Sequence, residues 1–275
     1  MEKNVKKRWI IGLIYLLIFF LTGWSCFYLF RPKETCFDGI KNQNEEGIDC
    51  GGVCAKSCKK IEAQNLVVET SGVLDASAIG EYDFFGVVSN PNKLFGSKYF
   101  DYLIKFEDEN GALIGEKKGN SFILPGEKKY IIENNVPLDK SPAKAELIIS
   151  GSQWVEFQDI YESPNIQIIK KTYDEITSGV GFSEVKGLLE NMSPYDFTTI
   201  KIDVILKDVS GNVLAVNSTR MNTVMSGENR DFRVFWPARF SGDVRSVEAQ
   251  FDVNIFDSDA FTKKYIKGQQ QFQSY

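Results

Sequence analysis

A chain of 275 residues with 43 % hydrophobic residues can fill a folded core, which excludes wholesale disorder. Its net charge of −5, with no basic run beyond residues 3–8, excludes nucleic acid as an expected partner. The chain has no histidine, so it lacks the commonest general base and metal ligand and every Ser-His or Cys-His nucleophile. Catalysis would have to run on carboxylates or lysine.

The first predicted element is residues 9–30, WIIGLIYLLIFFLTGWSCFYLF, which carries no charge. At about 1.5 Å per residue this helix measures roughly 33 Å, against a hydrocarbon core of about 30 Å. Its Leu, Ile and Phe side chains favour insertion by about 4 to 8 kcal/mol in sum. Lys3, Lys6, Lys7 and Arg8 precede it, whereas only Arg31 and Lys33 follow closely. The positive-inside rule then puts residues 1–8 in the cytoplasm and residues 31–275 outside, with the lipid bilayer as partner of residues 9–30. Trp9, Tyr15, Trp24 and Tyr28 suit the two interfacial belts. A cleaved signal peptide is the rival, but Phe27 to Phe30 continue the apolar run past any cleavage point. Ser25-Cys26 raises a lipoprotein signal, which Gly23 and Trp24 fit poorly.

Residues 31–62 read as a cysteine-rich stalk. Cys36, Cys50, Cys54 and Cys58 crowd into it, and no cysteine follows. So short a segment has no core and needs staples. Outside the cytoplasm two disulfides are expected, in any of three pairings. A four-thiolate zinc site is the alternative, although the spacings are not paired C-x2-C knuckles. Asp38, Asn42, Glu45 and Asp49 could together offer oxygens to Ca²⁺, or serve their own backbone in Asx-turns. Residues 36–54 resemble a module, C-x-D-G-x-x-N-x-x-E-x-G-x-D-C-G-G-x-C, of bacterial and archaeal surface proteins. The resemblance implies an extracytoplasmic spacer without assigned chemistry.

From residue 63 the chain turns to short β-rich runs between turn signals. An internal repeat organises them. Phe85 to Asn90 (FGVVSN) recurs as Lys186 to Asn191 (KGLLEN), and Tyr102 to Asp108 recurs in character as Ile202 to Asp208. Gly111 to Ile114 is matched by Gly211 to Leu214, and Leu124 to Glu127 by Met225 to Glu228. Asn110-Gly111 and Ser210-Gly211-Asn212 have the chemistry of tight hairpins. Tyr130 and Ile132 alternate with Ile131 and Glu133, and Phe232, Val234 and Trp236 with Arg233 and Phe235, which predicts one core face and one partly exposed face. Closing strands are expected over residues 145–149 and 247–255.

The expected fold is mainly β: a membrane helix, a disulfide-rich segment and two tandem Ig-like antiparallel sandwiches. The boundaries are residues 63–160 and 161–262, with a linker at 158–165 and a polar tail at 263–275. In the second copy Gly187 to Asn191, Val204 to Asp208 and Gly211 to Leu214 resemble the FxLYD family of bacterial β-sandwich modules. Val204 stands in the family's Phe position and Lys207 in its Tyr position. The resemblance implies extracytoplasmic modules with no common catalytic site, so no site residue carries over.

Phosphate-binding and nucleophile-elbow motifs are absent from the sequence. The acidic cluster at Glu107, Asp108 and Glu109 reads as a solvated hairpin tip, and Phe84, Phe85 and Trp236 as core. The sequons at Asn191 and Asn217 read as chance. No catalytic residue and no cofactor other than the possible calcium emerges. The function expected is a non-enzymatic, membrane-anchored display or scaffold protein with an unknown extracytoplasmic protein partner, for which an open sheet edge is one binding mode. The alternatives are an envelope enzyme subunit or a ligand- or ion-sensing ectodomain acting through a partner.

Overall fold

The computed structural model describes residues 2–30, 35–45, 48–56 and 62–267. The chain divides into two compact units, Met1–Glu62 and Ala63–Tyr275. In the first unit helix α1 spans Glu2–Phe30. It starts before Trp9 because Glu2, Lys3, Lys6 and Lys7 are all good helix formers. Side chains described without a break in α1 cover residues 13–25, about 20 Å of helix, and all are exposed. Among the described residues no helix is long and apolar enough to cross a membrane.

The second unit is built from antiparallel sheets. Its first half holds β1 (Val67–Asp75), β2 (Glu81–Ser89), β3 (Phe95–Glu107), β4 (Leu113–Ile123), β5 (Lys128–Pro137), β6 (Lys144–Ser150) and β7 (Trp154–Glu156). Its second half holds β8 (Ile166–Glu175), β9 (Ser183–Asn191), β10 (Phe197–Lys207), β11 (Val213–Val224), β12 (Asn229–Trp236) and β13 (Ser246–Asp252), then a helix, α2 (Asp259–Tyr265). Sheets β1-β2-β5 and β4-β3-β6 form the first half, with β7 also pairing β3; β8-β9-β12 and β11-β10-β13 form the second. The strand order is the same in both, as the internal repeat requires. In the first half one cluster joins both sheets through Phe84, Phe100, Ile104, Phe106 and Leu147.

The repeated motif residues hold each copy together. Asn90 Nδ2 donates to Phe95 O at 2.7 Å and Leu124 O at 2.8 Å; Asn191 Nδ2 donates to Tyr195 O at 2.8 Å and Met225 O at 2.9 Å. Both asparagines are buried, and each clamps the start of one sheet to a turn of the other. Glu127 and Glu228 accept from Leu124 N and Met225 N, each at 2.7 Å. Asp108 is more than a solvated tip: it accepts from Asn110 N and Ala112 N, and Asp208 does the same for Ser210 N and Asn212 N. Gly111 and Gly211 follow at φ +75° and +84°, a left-handed geometry that glycine adopts without strain. Replacing Asn90 or Asn191 by Ala removes both bonds, although Leu124 O and Met225 O keep the N–H groups of Glu127 and Glu228 as donors; each variant should lose about 1–3 kcal/mol in a urea titration.

The two copies pack on each other within this unit. Phe85, Tyr130 and Ile132 on the outer face of β2 and β5 meet Ile205, Val213 and Val216 of β10 and β11. Their strand, expected to have one partly exposed face, is therefore covered on both. The equivalent pairs at the free ends are charged: Lys186 faces Arg233, and Lys105 faces Glu116, where the interface has Phe85 facing Ile132 and Ile205 facing Val216. A head-to-tail contact of this kind extends indefinitely if every copy carries it. The charged pairs at the two ends do not offer the apolar faces that this contact uses.

Residues 158–165 do not behave as a free linker. Phe157 is fully buried, Gln158 N donates to Tyr265 O at 2.7 Å, and Tyr161 stacks edge-on with Phe157, Phe261 and Tyr265. The closing strand ends at Asp252 rather than residue 255. Asn254 caps a 3-10 turn by accepting from Phe256 N, and Ser258 caps α2 by accepting from Phe261 N. Residues 263–267, expected in the tail, belong to the fold, where Tyr265 and Ile266 are buried. Residues 268–275 lie outside the described residues.

Candidate functional site

The cysteine segment holds one defined disulfide, Cys36–Cys54, with Cα atoms 5.7 Å apart. Cys50 is also disulfide-bonded, and Cys58 lies outside the described residues. A four-thiolate zinc site is incompatible with that bonding, since bridged sulfurs are no longer thiolates. Asp38 accepts from Thr35 N, Ile40 N and Asn42 Nδ2, and these bonds, the one from Thr35 first, hold its carboxyl below the usual range. Asp49 accepts from Gly39 N, and Glu45 Oε2 from Asp49 N. The other Glu45 oxygen rests 3.0 Å from Cys54 Sγ, a contact without a proton because a bridged sulfur carries none. Asp38, Glu45 and Asp49 thus act mainly on neighbouring backbone, as Asx-turn residues do, while Asn42 bonds to the Asp38 carboxylate. Among the described residues Asp38, Glu45 and Asp49 do not converge as one group of ligand atoms; the group that does converge is Cys36, Glu45 and Cys54.

A cleft of about 880 Å³ lies between the two copies. Its walls come from β3, β4 and β5 on one side and β10, β11 and β13 on the other. Sequence reasoning missed it, because it exists only once the copies are docked. Lys129 is fully buried beside it, donating to Phe122 O at 2.9 Å and Asp252 Oδ1 at 2.8 Å, with Nζ 3.9 Å from the Phe122 ring centre. Burial pulls the Lys129 pKa down, yet Asp252 and Glu127 more than offset this and leave it above the ordinary value. Tyr130 seals the seam by donating its N–H to Gln250 Oε1 at 3.1 Å and its hydroxyl to Glu248 Oε2 at 3.0 Å.

On the first-copy wall the Tyr102 hydroxyl donates to Glu133 Oε1, and burial followed by that carboxylate raises the phenol's pKa. Gly119 makes this possible, because a β-carbon there would collide with the Tyr102 ring. On the opposite wall stands Lys201, 2.8 Å from Asp203, which lies buried behind it with its pKa raised by that burial. The cleft continues into a second hollow that shares Lys201, Arg220, Asp252 and Asn254.

Other sequence candidates fall outside the cleft. Phe84 and Trp236 are core residues, while Phe85 is part of the interface between the copies. Both sequon asparagines have occupied amides: Asn191 is fully buried, and Asn217 Nδ2 donates to Phe235 O at 2.8 Å.

No family model matches the chain, and no curated protein matches it. Among solved structures, a red sea bream transglutaminase is similar at a TM-score of 0.21 and 11 % identity, over 70 % of this chain. The match spans 29 % of that protein, and a likeness so slight carries no argument about fold or activity.

Proposed function

We propose that the chain is a single-pass, membrane-anchored extracytoplasmic protein that displays two tandem Ig-like β-sandwich modules for binding or envelope scaffolding, without catalysis. The feature that supports it most is the order of a helix with exposed apolar side chains on every described face, then a disulfide-stapled segment. Such a helix needs apolar surroundings, and such a staple persists in an oxidising compartment. The FxLYD-like repeats and the cysteine module it resembles fit the same placement. The packed copies make one compact head suited to presenting a surface. The cleft between them favours a second reading, a ligand-sensing ectodomain that signals through a partner.

With an epitope at the C-terminus, protease added outside the cytoplasmic membrane should remove the epitope signal from intact spheroplasts. Retention of the epitope in intact spheroplasts and its loss only after lysis would invert the topology and defeat the proposal.

A further inference from the structure

The cleft carries an electrostatic arrangement that folding alone does not account for. On the outer face of β10, Lys201 stands directly opposite Arg220 on β11 and Asp252 on β13. Like charges directly opposite in an antiparallel pair are destabilising. Asp203 relieves Lys201 and Asp252 is engaged with Lys129, both at 2.8 Å, which leaves Arg220 as the unrelieved member of the pair. Glu133, the other acid on the wall, accepts from Tyr102 and lies 3.7 Å from Lys117. Among the described residues Arg220 and Lys98 have no ion-pair partner, and both are exposed on the cleft wall. In a chain of net charge −5 the uncommitted charges of the 880 Å³ cleft are therefore positive, and the adjoining hollow adds Asp196 and Asp257.

The remaining lining narrows the ligand. Asn120, Ser121, Ser218, Thr219 and Asn254 present amides and hydroxyls, which an apolar ligand would leave without partners. The volume falls in the range of about 300–1,000 Å³ that small-molecule sites occupy, so a bare inorganic anion would fill only a corner. We propose that the cleft binds an acidic sugar, with its carboxylates met by Arg220 and Lys98 and its hydroxyls met by the neighbouring amides and hydroxyls. The assignment rests on the cleft alone and stands or falls separately from the membrane topology.

Isothermal titration of the full chain in neutral detergent with a galacturonic acid trimer tests it. The trimer should bind with an affinity that falls as salt rises, and maltotriose, its uncharged counterpart in size, should bind far more weakly. Arg220→Ala should weaken the trimer about tenfold or more. Lys98→Ala should weaken it in the same direction, and it keeps the test valid should the first variant misfold. Lys93→Ala, outside the cleft, should change nothing. Absence of trimer binding, equal binding of maltotriose, or full affinity in both cleft variants would overturn the proposal. Inorganic phosphate binding as tightly as the trimer would overturn the sugar assignment.

Discussion

Lys129→Met should destabilise the folded head by about 3 kcal/mol, at the lower end of the range for breaking a buried ion pair. The variant strands Asp252, whose side chain is 14 % exposed, without its cation, and removes the bond to Phe122 O. Because the pair joins β5 of one copy to β13 of the other, the loss should appear as earlier separation of the copies in urea. Adding Asp252→Asn removes the stranded charge and should restore a large part of the stability. A double variant no better than the single would show that the ion pair is not the cause. Base adds an independent check. The Lys129 pKa is raised in the fold, so its contribution is complete below its ordinary value of 10.5 and is lost as pH climbs through the higher folded value. Tyr161, pushed up to about 12 chiefly by burial, acts in the same direction above pH 10. Thermal melts should therefore fall steeply above about pH 10.5, and Lys129→Met should flatten that fall.

Phe157→Ala should cost about 3–5 kcal/mol, as large-to-small changes at fully buried aromatics do. Phe157 is the hub of the clasp by which the end of the chain holds the segment between the copies. It contacts Tyr161 and Phe256 edge-on, and its backbone pairs with Ile266. Lys267 N reinforces the clasp by donating to Glu156 O at 3.0 Å. The unfolding midpoint in urea should drop, while the slope should stay near wild type if the copies still unfold together. A change below about 1 kcal/mol would mean that residues 158–165 are a free linker after all.

Much of each copy was legible in the residues. Period-two alternation marked Phe232, Val234 and Trp236 as core, and Asn110-Gly111 and Ser210-Gly211-Asn212 marked the two hairpins. Both depend on local backbone chemistry, which one sequence displays in full. The internal repeat also revealed the duplication. The faces that meet between copies were harder to read. Tyr130 and Ile132 look like a half-exposed face of an isolated strand, and only docking against Ile205 and Val216 covers them. The closing strand was read too long because Val253 and Ile255 keep the alternation going, whereas Asn254 turns the chain by capping. In the cysteine segment Asp38, Asn42, Glu45 and Asp49 share a spacing that suits either a cation or a set of turns. The observed bonds go mainly to backbone N–H groups.

Taken alone, the sequence determined the mainly β class, the duplication, the hairpin turns and the cysteine staple, because each is written in contacts a few residues apart or in a repeated pattern. Tertiary structure alone decided that the copies form one body, that the chain end clasps the segment between them, and that Lys201, Arg220 and Lys98 share a cleft. Those features depend on contacts between residues distant in sequence, as between Lys129 and Asp252, 123 positions apart. Their partners are set by which surfaces dock, and no local spacing encodes that.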